Sequence, residues 1–284
     1  MDKNKEQMIT SGLYLVSTPI GNMEDITIRA INVLKNSDII FCEDTRRSKK
    51  LLSHFQIKST LLPYHKFNES KVSGKIIDFI KEKKIISLIS DAGTPTISDP
   101  GMILVRKCIS ENLRVYPIPG ACAATSAVSA SGFSDQYIFY GFLPKKENEL
   151  NTTLKTLSDL DYSIVLFTTT SKINSCISKF KTYFSDRDIV IAREITKIHE
   201  EFIRGKVSSI KNLPNDLKGE LTVVLSKKIK EKNIKKEIGE SVKIEVIKML
   251  KKYSHKDVVE FISKKENLPK KIIYNFCLKM KKIK

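Results

Sequence analysis

A short apolar run, Ile85-Ile86-Ser87-Leu88-Ile89, leads straight into Ser90-Asp91-Ala92-Gly93-Thr94-Pro95-Thr96-Ile97-Ser98-Asp99-Pro100-Gly101. The run lies between lysines and turn formers, which predicts a buried strand. Met102 to Cys108 follows and is apolar enough for a helix packed on a sheet. A strand that feeds a loop of glycine, proline, aspartate and hydroxyls into a helix constrains the chain to an α/β sheet. In such sheets ligands bind at the carboxyl ends of the strands. Helix initiation accounts for the second half of the loop, with Asp99 as cap and Pro100 in the first turn. It leaves Asp91 to Pro95 without a structural task, so that half is expected to hold a ligand.

The same unit recurs along the chain. Leu13 to Val16 reads as a strand ending in Ser17-Thr18-Pro19-Ile20-Gly21-Asn22, followed by a helix over 25–34 with Asp25 suited to its cap. Asp38 to Cys42 is a second strand, ending in Glu43-Asp44-Thr45-Arg46-Arg47, where two acids meet two bases. A helix over 48–55, an edge strand over 60–64 and a helix over 70–81 come next. The strand Leu113 to Ile118 ends in Pro119-Gly120-Ala121-Cys122-Ala123, whose small residues let a helix N-terminus approach a ligand or pack closely on a sheet. Alternation at this rhythm predicts a largely parallel sheet. The expected divisions are an α/β domain over 12–142, a second over 143–226 whose last strands read as antiparallel, and a helical tail over 227–284.

Composition narrows the function. No apolar run approaches the ~20 residues that span a bilayer, and the start MDKNKEQMITSG resembles no signal peptide, so the cytoplasm is the expected compartment. The five cysteines are dispersed and the four histidines show no i,i+4 pairing, so reduced thiols and no metal site are expected. None of the eleven glycines forms G-x-G, which excludes a Rossmann fingerprint and a P-loop. Lys and Arg number 50 against 32 Asp and Glu, a net charge of +18. Residues 226–284 hold 19 of the lysines and only 7 acids. Such a surface favours polyanions, although a lysine-rich composition also places lysine on every solvated face.

Several ordered motifs carry a resemblance: VSTPIGNMEDITIRA (16–30), CEDTRRSKKLLSHF (42–55), SDAGTPTISDPG (90–101), PG-x-x-A (119–123), GFLPKK (141–146) and AREITKIHEEFIRG (192–205). Over roughly 12–226 the chain resembles the ribosomal RNA small-subunit methyltransferase I family of the tetrapyrrole methylase superfamily. The resemblance implies two α/β domains with S-adenosylmethionine in the cleft between them, and a homodimer. It implies 2′-O-methylation of a cytidine in the decoding region of 16S rRNA. By position it sets the cofactor against Pro19, Ile20, Asp91, Ala92, Gly93, Thr94, Pro95, Ile97, Cys122 and Ala123, and in the second domain near Thr168, Glu194 and Ile195. Two departures stand out. Ala121 and Cys122 occupy positions usually proline and serine, and Phe167 to Lys172 reads FTTTSK where the family shows an aromatic, Glu, Ser, Pro, His and Arg.

A ribose hydroxyl is a poor nucleophile, so a base assists its methylation. Asp44, Glu43 and Asp91 are candidates for that work, with Asp91 alternatively holding the cofactor's amino group. Arg46, Arg47 and Lys49 at the second strand end, and Lys270 and Lys271 in the tail, are expected to meet RNA phosphate. Arg46 also joins Asp44 in the catalytic set. Two other readings stay open: a methylase of a tetrapyrrole-like anion on the same fold, and a ribosome-assembly protein that binds RNA without methyl transfer.

Overall fold

The computed structural model describes residues 8–229, 238–266 and 268–281. The chain divides into two compact units, Met1–Ile229 and Lys230–Lys284. The lysines at 230, 232, 235, 236, 282 and 284, part of the basic tail, and the first seven residues lie outside the described residues.

The first unit is built on two sheets. Strands β1 (Gly12–Val16), β2 (Ile39–Cys42), β3 (Thr60–Pro63), β4 (Ile85–Ile89) and β5 (Val115–Ile118) form a sheet of order β3-β2-β4-β1-β5. Every pairing in it is parallel. Apolar clusters cover both faces: Leu13, Phe41, Ile86 and Leu88 join one, and Tyr14, Val16, Ile40 and Ile89 the other. Burial on both faces is what parallel strands require, and it explains their near-continuous apolar runs. The intervening helices are α1 (Ile28–Lys35), α2 (Thr45–His54), α3 (Glu69–Lys81), α4 (Met102–Ser110) and α5 (Ala123–Ser131).

The second sheet is mixed, with order β6-β7-β10-β8-β9. Its strands are β6 (Tyr137–Phe142), β7 (Ser163–Thr169), β8 (Asp188–Arg193), β9 (Glu201–Lys206) and β10 (Glu220–Leu225), with helices α6 (Glu147–Asp159) and α7 (Thr170–Tyr183) between them. Only β6 and β7 pair in parallel; β10 is antiparallel to β7 and β8, and β9 to β8. Strand β6 falls in the stretch read from sequence as the first domain, yet it is an edge strand of this sheet. Helix α5 also crosses over: Ala124 and Ala127 pack on Val165, Val190, Ala192 and Val224. Its small residues therefore serve close packing on a sheet, and the sheet is the second one.

Two capping expectations fail. Thr27, not Asp25, caps α1, its hydroxyl accepting the Ala30 N–H at 3.1 Å, because Met23–Asp25 is already spent on a separate 3-10 turn. Helix α4 begins at Met102 with Gly101 as its N-cap and no side-chain capping bond. Asp99 and Pro100 precede that helix and do not start it.

The second unit consists of α8 (Glu240–Met249), α9 (His255–Glu266) and α10 (Lys270–Lys281) around Val246, Val258, Ile262, Ile273 and Cys277. Ser254 and Asp257 form the expected capping pair, the Ser254 hydroxyl donating to Asp257 Oδ2 at 2.7 Å and accepting the Asp257 N–H at 3.3 Å. Among the described residues no helix is long and apolar enough to cross a membrane.

Candidate active site

Parallel strands deliver their following loops to one edge, and here three of those loops are tied together. Thr18, after β1, exchanges both main-chain hydrogen bonds with Gly93, after β4, at 2.9 and 3.0 Å. Thr94 donates its hydroxyl to the Ala121 carbonyl, after β5, at 3.2 Å, and its oxygen lies 3.0 Å from Ser17 Oγ. The amide of Gly93 is therefore committed to Thr18 and is not free for a ligand. Free donors come instead from α5. Cys122 caps that helix without a side-chain bond, and the first intrahelical amide is that of Ser126. The N–H groups at the start of α5 therefore have no partner within the helix.

These loops and the second sheet enclose a cavity of about 330 Å³. Ile20, Asp91, Ala92, Gly93, Thr94 and Ile97 line it from the first sheet, with Cys122 and Ala123 from the start of α5. Thr168 lines it from β7, so nine of the thirteen residues assigned to the cofactor from sequence meet in one place. The other four do not. Pro19 faces an adjoining cavity of about 270 Å³, which shares Ile20, Arg47, Asp91, Ala92 and Glu220 with the first. Pro95 is buried beneath the loop. Ile195 is taken into the core beside α5. Glu194 turns away, accepting the Glu220 N–H at 2.8 Å and Lys197 Nζ at 2.9 Å.

Several lining residues escaped the sequence reading: Ser98, Asp99, Phe142, Phe167, Thr169 and the run Gly219 to Thr222, while Arg47 had been assigned only to RNA. Phe142 and Phe167 stack edge to face, centroids 5.6 Å apart, as an apolar wall. Gly219, at φ 115°, lets β10 start against Glu194: a Cβ there would fall 2.5 Å from Glu194 Cγ. Gly141, at φ 80°, sits at the bulge in β6, where a Cβ would fall 2.9 Å from Ser98 Oγ. The loop carrying Ser98 and Asp99 thus lies directly on the second sheet. It also holds two residues in the left-handed region, Thr96 at φ 72° and Ser98 at φ 68°. A β-branched residue such as Thr96 pays for that conformation.

The carboxylates divide by environment. Asp44 caps α2 and takes Arg46 Nε and Nη2 at 3.1 and 2.7 Å; those bonds hold its carboxyl well below the usual range. It is not in the cavity lining, and a carboxylate held so firmly ionised is a poor proton acceptor. Arg46 is occupied by the same pair. Asp91 Oδ1 accepts the Asp44 N–H at 3.0 Å, and Asp91 Oδ2 lies 3.4 Å from Arg47. Burial, then the neighbouring Asp91, pushes the Glu43 carboxyl up. Asp99 is pushed up to about 7, first by burial, then by Glu43 and Asp91. Among the described residues no group of three or more His, Cys, Asp or Glu is placed to hold a metal ion.

Residues 12–211 match the family model of the tetrapyrrole (corrin/porphyrin) methylases. The chain is 40% identical over 281 residues to the ribosomal RNA small subunit methyltransferase I of Rickettsia prowazekii, covering 96% of this chain and 99% of that one. It belongs to that methyltransferase family, within the tetrapyrrole methylases. The Thermotoga maritima relative of the same name is 45% identical over 219 residues, 76% of this chain and 98% of that one. Among solved structures, a diphthine synthase aligns with a TM-score of 0.61 at 14% identity over 75% of this methylase and 89% of that chain. Uroporphyrin-III-C-methyltransferase from Thermus thermophilus aligns with 0.55 at 16% identity over 76% and 94%. At those identities the likeness establishes the methylase fold.

Proposed function

We propose that this methylase transfers the methyl group of S-adenosylmethionine to the 2′-hydroxyl of a cytidine in the decoding region of 16S rRNA. The observation that carries the reading is the cavity between the two sheets, in a chain 40% identical over nearly its full length to a small-subunit rRNA methyltransferase. The cavity's chemistry fits the cofactor. Ile20, Ile97, Phe142, Phe167 and Leu221 offer apolar contact for a flat base, and the unpaired N–H groups at the start of α5 suit a carboxylate. Asp91 and Asp99 favour a cation such as a sulfonium. When bound, the cofactor supplies an electrophilic methyl whose bond to sulfur breaks as the bond to the ribose oxygen forms. The protein's share is to position the two reactants and exclude water between the sheets.

RNA binding is supported by cations placed where helices do not want them. Arg46 and Arg47 stand in the first turn of α2, and Lys270 and Lys271 in the first turn of α10, all exposed and all opposed by the helix dipole. Arg46 and Lys49 share a groove of about 430 Å³ with Lys58. A polyanion compensates such placements. The expected compartment is the cytoplasm and the expected assembly a homodimer, which sedimentation measures. The deciding experiment maps 2′-O-methylation on small-subunit rRNA from cells with and without the protein. An unchanged decoding-region cytidine overturns the reading.

A further inference from the structure

We propose that Asp99 is the catalytic base, accepting the proton that leaves the substrate hydroxyl as its oxygen takes the methyl group. The inference rests on the methyltransferase reading above and adds to it the identity of the proton acceptor.

Four carboxylates gather at the carboxyl ends of β2 and β4; two are engaged by partners and a third stands outside the cavity lining. Asp44 holds Arg46 and the start of α2, outside the cavity lining. Asp91 lines the cavity with one oxygen on the Asp44 amide and the other beside Arg47. Glu43 stands behind Asp91 and is also outside the lining. Asp99 lines the cavity and faces Glu43 from the end of β2, Asp91 from the end of β4, and the Ser90 hydroxyl. No cation pairs with it among the described residues; Arg47 leans on Asp91, and Lys197 is held by Glu194 and Glu220. From α3, Glu69 takes the Gly101 N–H at 3.4 Å, two residues further on. The opposite wall offers hydroxyls at Thr168, Thr169 and Thr222, and its one acid, Glu220, is paired with Lys197.

Fixing Asp99 there costs the chain something. Thr96 and Ser98 take left-handed backbone conformations, Gly101 supplies the turn into α4, and Gly141 omits a side chain so that Ser98 can lie against β6. Helix capping does not explain the expense, since Gly101 is the cap. An unpaired carboxylate in a half-buried cavity, with two acids beside it, binds a proton near neutral pH, as a base matched to its task must. In the transfer the hydroxyl O–H bond breaks and its proton passes to an Asp99 carboxylate oxygen. The new oxygen–carbon bond replaces the carbon–sulfur bond, whose electron pair stays on sulfur.

The test combines single-turnover methylation of small-subunit particles at saturating RNA, across pH 5.5–9, with an activity-independent reading: carbon NMR titration of labelled aspartate carboxyls in the free protein. For wild type the rate rises through the neutral range, and one aspartate resonance titrates near pH 7. Asp99→Asn removes that resonance and, at a cofactor concentration that calorimetry shows to be saturating, lowers the rate by about 10²–10⁴-fold and flattens its pH dependence. S-adenosylmethionine, a cation, shifts the titration down; the neutral thioether product shifts it less. Asp99→Glu recovers part of the rate. An Asp99→Asn rate within twofold of wild type overturns the proposal, as does the loss of pH dependence in Glu43→Gln but not in Asp99→Asn. A wild-type protein that binds the cofactor yet leaves rRNA unmodified overturns the substrate reading itself, a separate outcome.

Discussion

Asp91 Oδ1 accepts the main-chain N–H of Asp44 at 3.0 Å, fastening the loop after β4 to the start of α2. One side chain thereby ties the start of the basic helix to the cofactor cavity. Asp91→Ala is expected to cost about 1 kcal/mol of stability, the worth of a partly exposed hydrogen bond. Asp91→Asn keeps an acceptor for that amide and should lose less, while both weaken the hold on Arg47. Urea denaturation of the three proteins measures the difference, and equal losses would show that the bond to Asp44 matters little.

Gly219→Ala places a methyl 2.5 Å from Glu194 Cγ, on a backbone at φ 115°, while Glu194 is pinned by Lys197 and the Glu220 amide. The expected loss is about 2 kcal/mol. Because Gly219 also lines the cavity, cofactor affinity by calorimetry should fall with it. A variant with unchanged melting temperature would mean that Glu194 moves aside freely.

Arg187 is 1% exposed and donates to four main-chain carbonyls, those of Ser158, Leu160, Tyr162 and Ser226. It binds the end of α6 to one end of the second sheet, where β7 begins and the antiparallel β10 finishes. Arg187→Met leaves those carbonyls without their donor and should cost about 3–5 kcal/mol. Thermal unfolding reads this directly. Arg187→Lys, with fewer donors and no fork, should restore only part of the loss.

Asp99, pushed up to about 7 in the fold, has an ordinary value of 3.8. The folded state therefore binds more protons than the unfolded chain between those limits. The contribution of Asp99 to stability is present below about pH 4. It is lost as pH rises through about 7. Asp99→Asn should melt at a higher temperature than wild type at pH 8, with the gap narrowing towards pH 5. A gap that does not change with pH would show that Asp99 ionises in the fold as it does in the unfolded chain.

Two neighbouring cations should contribute unequally to RNA binding. Arg46 is held by Asp44 at 2.7 Å, whereas Lys49 carries no such partner among the described residues. Lys49→Ala should lower the slope of log affinity against log salt by roughly 0.7–0.9, one phosphate contact. Arg46→Ala should lower it by less. Fluorescence anisotropy on a decoding-region RNA helix over a salt series measures both, and equal slopes would show that RNA displaces Asp44 from Arg46.

What the sequence disclosed and what it hid follow from the range of the interactions. The strand ends Val16, Cys42, Ile89 and Ile118 are legible because apolar runs and turn formers are local signals, and the cofactor loop at Asp91 to Ile97 follows from them. Asp99 was hidden by its own chemistry: Asp-Pro-Gly before an apolar stretch reads as a helix start, and only the φ of Gly101 shows otherwise. The far wall, Gly219 to Thr222, was invisible because it reaches the cavity only through the antiparallel pairing of β10 with β7, fifty residues earlier in the chain. The sheet that β6 joins is hidden for the same reason, since pairing with β7 rather than β5 leaves no mark on its residues.

Helix α5 enters from the first sheet's last strand, presents its opening turn to the cavity, and buries Ala124 and Ala127 on the second sheet. It acts as a strut across the cleft. Swinging the two sheets apart would peel that alanine face away from Val165 and Val224, so opening the cleft as a hinge would expose buried apolar surface. Ile97 and the ring of Phe142 are the exposed apolar side chains of the cavity lining, and they lie apart from the strut's buried alanine face. The separation of the cavity's two walls is in this way tied to the packing of a single helix.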